Sequence, residues 1–151
     1  MRELIKITDK NEILKYLYEF SDVFPHLCEK IKSMEDFSEK LSKFSNFYIA
    51  AEDRIALGIA VFYSNNKIEK NAYITLFGLK ESARKKGLSE WMLRQCEALS
   101  KKDDMKKISL EVDCDNTTAI AFYKKNGYAI SGQSQRNSMY MYKIIGENHD
   151  D

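Results

Sequence analysis

The chain contains a single proline, Pro25, and no stretch rich in proline, glycine or serine. That excludes a flexible interdomain linker and a proline-rich recognition segment. Cysteine is equally sparse. Cys28, Cys96 and Cys114 sit at no metal-ligand spacing, and their odd number and wide separation point to reduced thiols rather than a disulfide framework. The two histidines, His26 and His149, are isolated surface or loop residues by their context, so no metal site is expected. Charge of one sign is also missing: 24 basic against 23 acidic residues give a net charge of +1. No global field recruits nucleic acid or an anionic membrane, so any basic function must be local. Apolar runs are too short to span a bilayer. The opening residues, MRELIKITDKNEIL, lack the apolar core of a secretory leader, and the expected location is cytoplasmic.

What is present is ordinary globular material, 44% hydrophobic and 31% charged. The length suits one domain able to bury most of its apolar surface without staples. The expectation is a single domain over residues 1–145 and a frayed, flexible tail, GENHDD, over 146–151.

Periodicity orders the elements. RELIKIT alternates apolar and polar residues and predicts a strand. Asp9 suits the N-cap of a helix running to about Phe20. SDVFPHLCEK connects it to a second helix over Met34–Phe44, capped by Ser33, with Glu35 one residue short of capping-box spacing. FYIAAE and IALGIAVFY flank the polar pair Asp53 and Arg54 and predict a hairpin; AYITLFGL adds a third strand to an antiparallel meander. From Gly87 the period becomes helical, with Leu88, Trp91, Met92, Gln95, Cys96 and Leu99 on one face. KISLEVD alternates strictly and predicts a strand. Asn116–Lys125 is a helix, ended by Gly127 in a left-handed cap with Tyr128 beyond it. SMYMYKII is the last strand, with room for a short one at YAI. The order β-α-α-β-β-β-α-β-α-β is a mixed α/β fold, and the strand–helix–strand crossover predicts that strands 72–79 and 108–113 are parallel neighbours.

One short stretch carries chemistry. RKKGLS, residues 84–89, sits where a strand hands over to a helix. The first turn of a helix offers free N–H groups and the positive end of its dipole, and Gly87 lets an anion approach the main chain. Two readings are open for the segment by itself, a solvated basic face or a phosphate cradle. The P-loop spacing is absent.

The downstream stretch LEVDCDNTTAIAFYKKNGY narrows the choice. R-x-x-G-x-S after a strand, followed by L-E-V-x-x-x-N-x-x-A-x-x-F-Y-x-x-x-G-Y, resembles the GCN5-related N-acetyltransferase (GNAT) family over roughly residues 46–145. The resemblance implies an acyl-CoA N-acyltransferase fold, with a central, mostly antiparallel twisted sheet flanked by helices. It implies an enzyme that takes acetyl-CoA as acetyl donor and needs no metal. The helix start, Arg84, Lys85, Lys86, Gly87, Leu88 and Ser89, would hold the pyrophosphate. Arg84 and Gly87 match the family pattern; Ser89 departs from its glycine or alanine, yet is small and carries a hydroxyl donor. Lys85 and Lys86 either meet phosphates or are solvated.

The family pattern also places Phe77 and Leu79 at a splayed strand end along the pantetheine arm, with the Leu79 N–H facing the thioester carbonyl. Asn116 would lie against the cofactor, and Tyr123, two helical turns on, beside the sulfur. Read alone, Asn116 is also a plain N-cap and Tyr123 a packing tyrosine; Tyr128 is the competing tyrosine and suits the helix cap. Glu111 is either the base, through water, or a polar strand residue. The implied reaction is direct attack of an amine on the thioester, and Tyr123 suits a hydrogen-bond donor to the leaving thiolate.

The acceptor side is framed by Phe24, Pro25 and His26 on one wall and Tyr73 and Thr75 on another; packing and loop roles are the alternative for each. SGQSQRNSMY leaves little room for a peptide-gripping insert, which favours a small primary amine, an amino sugar among the candidates. The alternatives are a protein or peptide acceptor, or a non-catalytic acetyl-CoA sensor of the same fold. Nucleic acid and membrane partners are not expected: Asp103 and Asp104 interrupt the Lys101–Lys107 run. Monomer and homodimer both fit.

Overall fold

The computed structural model describes residues 1–146. Residues 147–151 lie outside the described residues, and with them most of the expected tail and His149; so does the side chain of Cys28. Seven strands, β1 (Arg2–Lys6), β2 (Asn46–Glu52), β3 (Ile55–Tyr63), β4 (Asn71–Leu79), β5 (Lys107–Asp113), β6 (Ala129–Gln133) and β7 (Ser138–Ile144), form one sheet in the order β1-β2-β3-β4-β5-β7-β6. The helices are α1 (Lys10–Glu19), α2 (Leu27–Lys30), α3 (Met34–Phe44), α4 (Leu88–Lys102) and α5 (Thr117–Lys125). This is the expected mixed α/β fold. Among the described residues no helix is long and apolar enough to cross a membrane.

The chain forms two compact units, Met1–Tyr63 with Leu76–Arg94, and Ser64–Thr75 with Gln95 onwards. In the first, β1, β2 and β3 are antiparallel, with Leu4 opposite Ala50 and Ile49 opposite Ile59. The β2–β3 turn places Asp53 (φ 51°) and Arg54 (φ 70°) both in the left-handed region, the backbone of a type I′ hairpin turn, whose twist matches that of the strands. Ile13 and Leu17 of α1, with Phe20 beyond its end, repeat at helical spacing and are fully buried with Leu41 of α3, Phe47 and Ile59. Burying each such side chain stabilises the fold by about 1.5–3 kcal/mol. Both caps hold as the sequence predicts: Asp9 accepts from Asn11 and Glu12 N–H groups, Ser33 from the Asp36 N–H.

In the second unit β4 runs parallel to β5, Ala72 opposite Ile108 and Ile74 opposite Leu110, as the crossover requires. β5 continues antiparallel with β7, and β7 with β6. Alternation sorts the faces: Ala72, Ile74, Ile108, Leu110 and Met141 are buried, while Tyr73, Ser109, Glu111 and Tyr140 point the other way.

Two short elements are additions to the predicted order. α2 is one turn of helix inside the Pro25 connection, and Glu81–Ala83 form a 3₁₀ turn after β4. Neither is long enough to carry a periodic signal. Of YAI, Ala129 and Ile130 open β6, which runs on to Gln133, while Tyr128 lies just before the strand.

Candidate active site

In the first unit β4 ends at Leu79 and the chain reaches α4 through the 3₁₀ turn and Arg84–Gly87. Lys85 (φ 67°) and Gly87 (φ 78°) are left-handed, a backbone form that costs a non-glycine residue of order 1 kcal/mol. The Gly87 carbonyl accepts from the Trp91 N–H at 3.2 Å, so the helix ladder starts there. The N–H groups before Trp91 have no carbonyl within the helix to donate to. Arg84, Lys85, Lys86 and Gly87 are exposed, Ser89 is half-buried, and Leu88 is buried and anchors the first turn. The space where a Gly87 Cβ would stand is open, its nearest neighbour being Arg2 Nη2 at 4.0 Å. Helix start, positive-φ glycine and three cations thus converge on one exposed turn with the chemistry of an anion cradle.

Leu79 is buried, and its Cδ2 lies 2.6 Å from the position a Gly58 Cβ would occupy. Phe77 is half-buried. One residue between them, Gly78, lets the α1–α2 connection pack on β4: a Cβ there would meet Val23 Cγ1 at 2.6 Å and the Phe24 ring at 3.2 Å. Phe24 is therefore brought against the strand end. His26 is not; it is exposed and its Nδ1 faces Glu29 Oε2 at 3.3 Å.

In the second unit Asn116 caps α5, its Oδ1 accepting from the Ala119 N–H at 3.1 Å. α5 closes as the sequence predicts. Gly127 (φ 96°) is left-handed, its N–H donates to Lys124 O, and the Tyr128 N–H donates to Tyr123 O at 2.9 Å. This is a Schellman cap, in which the residue after the glycine packs on the helix's last turn. Here that contact is Tyr128 on Tyr123, ring centroids 5.5 Å apart and edge to face. Tyr123 is 7% exposed and also meets Phe122 edge-on at 5.2 Å. Burial first, then the neighbouring Cys96, pushes the Tyr123 hydroxyl up from its ordinary range. It stays protonated and is a donor at any physiological pH. Tyr128 donates to Glu97 Oε2 at 2.8 Å, and Lys143 Nζ reaches Glu97 Oε1 at 3.2 Å. Tyr128 is thus a cap and packing residue, held by a paired carboxylate.

Glu111 lies opposite Tyr140 in the β5–β7 register. Burial first, then the charge of Glu111, raises the Tyr73 hydroxyl, which places Tyr73 within electrostatic reach of that carboxylate. Ser138, diagonal to Glu111 on the same sheet face, donates its hydroxyl to Glu111 Oε2. Ser134 Oγ stands 2.5 Å from Ser138 Oγ and accepts from the Arg136 N–H at 3.1 Å. Ser138 has one proton, and it goes to Glu111; Ser134 must then donate to Ser138. A hydrogen-bond chain ending on the Glu111 carboxylate follows. Thr75 is half-buried on β4.

The sequence model of the acetyltransferase (GNAT) family matches residues 12–128. The chain belongs to the GNAT family. Its members are acetyl-CoA-dependent acyltransferases, and the residues of the anion cradle and of α5 fall inside the match. An uncharacterized N-acetyltransferase, YdgE of Bacillus subtilis, is 32% identical over 71 residues, 47% of this chain and 45% of that protein; the alignment spans under half of that relative. Among solved structures, PaiA N-acetyltransferase from Thermoplasma acidophilum in complex with coenzyme A superposes with a TM-score of 0.75 at 21% identity, covering 95% of this chain and 99% of that one. The ribosomal-protein-S18-alanine N-acetyltransferase of Escherichia coli gives 0.76 at 14% identity, covering 100% and 98%. At these identities the likeness is one of fold. The GNAT match ends before β7, so Ser134, Ser138 and Tyr140 lie beyond it. Only the β5–β7 register reveals them, and periodicity alone does not supply that register.

Proposed function

We propose that the chain transfers the acetyl group of acetyl-CoA to the primary amine of a small molecule. The observation that carries this is the Arg84–Gly87 turn, with its left-handed Lys85 and Gly87 feeding the free N–H groups of α4. A pyrophosphate accepts from such groups without any side chain, and Arg84 adds a charge-assisted donor. Lys85 and Lys86 supply exposed positive charge at the same turn, and the Ser89 hydroxyl is a further donor. Phe77 and the main chain at Leu79 line the pantetheine arm, and Asn116 adds a polar contact from its cap.

Acetyl-CoA supplies an acyl group already activated as a thioester. The remaining work falls to this chain's side chains and main chain. An amine of ordinary pKa, ~10.4, is mostly ammonium at pH 7. Glu111 takes its proton through water; the carboxylate is held for this by Ser138. The Leu79 N–H donates to the carbonyl oxygen as charge develops there, an interaction typically worth ~10²–10³ in rate. As the C–N bond forms, the C–S bond breaks, and Tyr123 donates a hydrogen bond to the departing sulfur. A thiolate whose thiol has pKa ~8.5 cannot take the proton of a tyrosine whose hydroxyl is raised, so Tyr123 donates a hydrogen bond and keeps its proton; the second proton, shed by the nitrogen as the amide forms, passes through water to the sulfur. Phe24, packed at Gly78, and His26 are the acceptor-side residues proposed in the first unit, and Tyr73, near Glu111, and Thr75 those proposed in the second. The β6–β7 connection spans only residues 134–137, which supports a small acceptor over one needing a peptide-binding flap. A cytoplasmic enzyme, active as monomer or homodimer and without a metal, fits this reading.

The test is thiol release from acetyl-CoA, followed with a thiol reagent across amines, amino sugars and peptides. Small amines should stimulate release. Release with peptides alone would move the acceptor class to protein N-termini. Coenzyme A binding with no stimulated release anywhere would favour a non-catalytic sensor.

A further inference from the structure

We propose that Arg2 is a positioning residue for the coenzyme A cradle, acting from a strand outside the span of the family match. The inference rests on the reading of residues 84–89 as the pyrophosphate site.

The register of β1 on β2 sets Arg2 opposite Glu52, and Arg2 Nε donates to Glu52 Oε1 at 3.1 Å. The carboxylate holds the guanidinium in place. The same guanidinium then donates from Nη2 to the main-chain carbonyl of Lys86 at 2.9 Å. That carbonyl shares a peptide plane with the Gly87 N–H. In a trans peptide the two point in opposite directions. Fixing the Lys86 carbonyl on Arg2 therefore aims the Gly87 N–H away from Arg2.

Without this hold, little would keep the plane in place. It joins a loop in which Lys85 and Gly87 are both left-handed, and glycine passes readily between conformations. The same Nη2 is the nearest atom to the site of a Gly87 Cβ, at 4.0 Å, so its charge also stands beside the glycine. The Arg2–Glu52 pair is about one-third exposed on each side, and pairs of that kind add little to stability. Its orienting effect is therefore separable from folding.

The experiment is calorimetric titration of the full chain with coenzyme A, for the wild type and for Arg2→Met, Arg2→Lys, Glu52→Gln and Gly87→Val. Loss of one charge-assisted hydrogen bond predicts a roughly tenfold weaker Kd for Arg2→Met. Arg2→Lys should recover part of it, because an ammonium can still donate to the Lys86 carbonyl. The Gly87 amide resonance of the free protein should shift in Arg2→Met while the thermal midpoint stays within a few degrees. Affinity unchanged in Arg2→Met and lost in Gly87→Val would overturn the role of Arg2 and leave the cradle standing. Affinity unchanged in Gly87→Val would remove the cradle itself, and the proposal with it. Should Arg2→Met fail to fold, Glu52→Gln carries the test: weaker binding supports the proposal, unchanged binding rejects it.

Discussion

At the scale of single residues, the duties proposed for Tyr123 and Glu111 rest on different supports. Tyr123 is buried, protonated and braced by the Tyr128 ring across a Schellman cap. Tyr123→Phe keeps that packing and removes only the donor. Turnover should fall ~10²-fold or more, with KM for acetyl-CoA nearly constant; steady-state kinetics with any active amine checks this, and a change within a few-fold removes Tyr123 from the chemistry. Glu111 is oriented by Ser138, which is 3% exposed. Ser138→Ala should lower kcat by about tenfold, the loss expected for one hydrogen bond to a charged group, and Ser138→Thr should restore most of it. Equal activity in all three proteins would make the serine chain a packing feature. Gly127, Tyr128 and the Asn116 cap were legible because capping depends on local sequence. Ser138 was not, because its meeting with Glu111 depends on a pairing between segments 27 residues apart in the chain.

At the scale of elements, strict alternation or a clear apolar face marked the segments whose bounds the structure reproduces, such as α3 and β5. α2 and the 3₁₀ turn escaped because one turn of helix shows no period. The residues that shape the strand end were hidden for another reason. Gly78 reads as a weak spot in a strand until Val23 and Phe24 are seen against it. Val23 is β-branched and stiff, so it cannot yield easily to an added methyl. Gly78→Ala should cost about 1–3 kcal/mol by overpacking, measured as a lower urea midpoint, and should raise KM for the acceptor more than for acetyl-CoA. A variant as stable as wild type would mean that the α1–α2 connection is free to move off β4.

At the scale of the whole molecule, pH should act through three buried acids of the second unit. Burial, then Glu97, pushes the Cys96 thiol from 9.0 up to about 12, and burial first raises Tyr123 and Tyr128 too. Each folded-state value lies above its unfolded one. Their contribution is complete below the unfolded values and is lost as pH rises, since the unfolded chain releases protons the folded chain keeps. The urea midpoint should therefore decline from about pH 9 upward, more gently in Cys96→Ala. A midpoint flat to pH 11 would mean that these groups are solvated.

The turn before α4 is proposed to hold the pyrophosphate of acetyl-CoA. Titration of coenzyme A into uniformly ¹⁵N-labelled protein tests this most directly. The largest amide shifts in the first unit are expected at Gly87, Leu88 and Ser89. Saturable binding that leaves those three amides in place would contradict it.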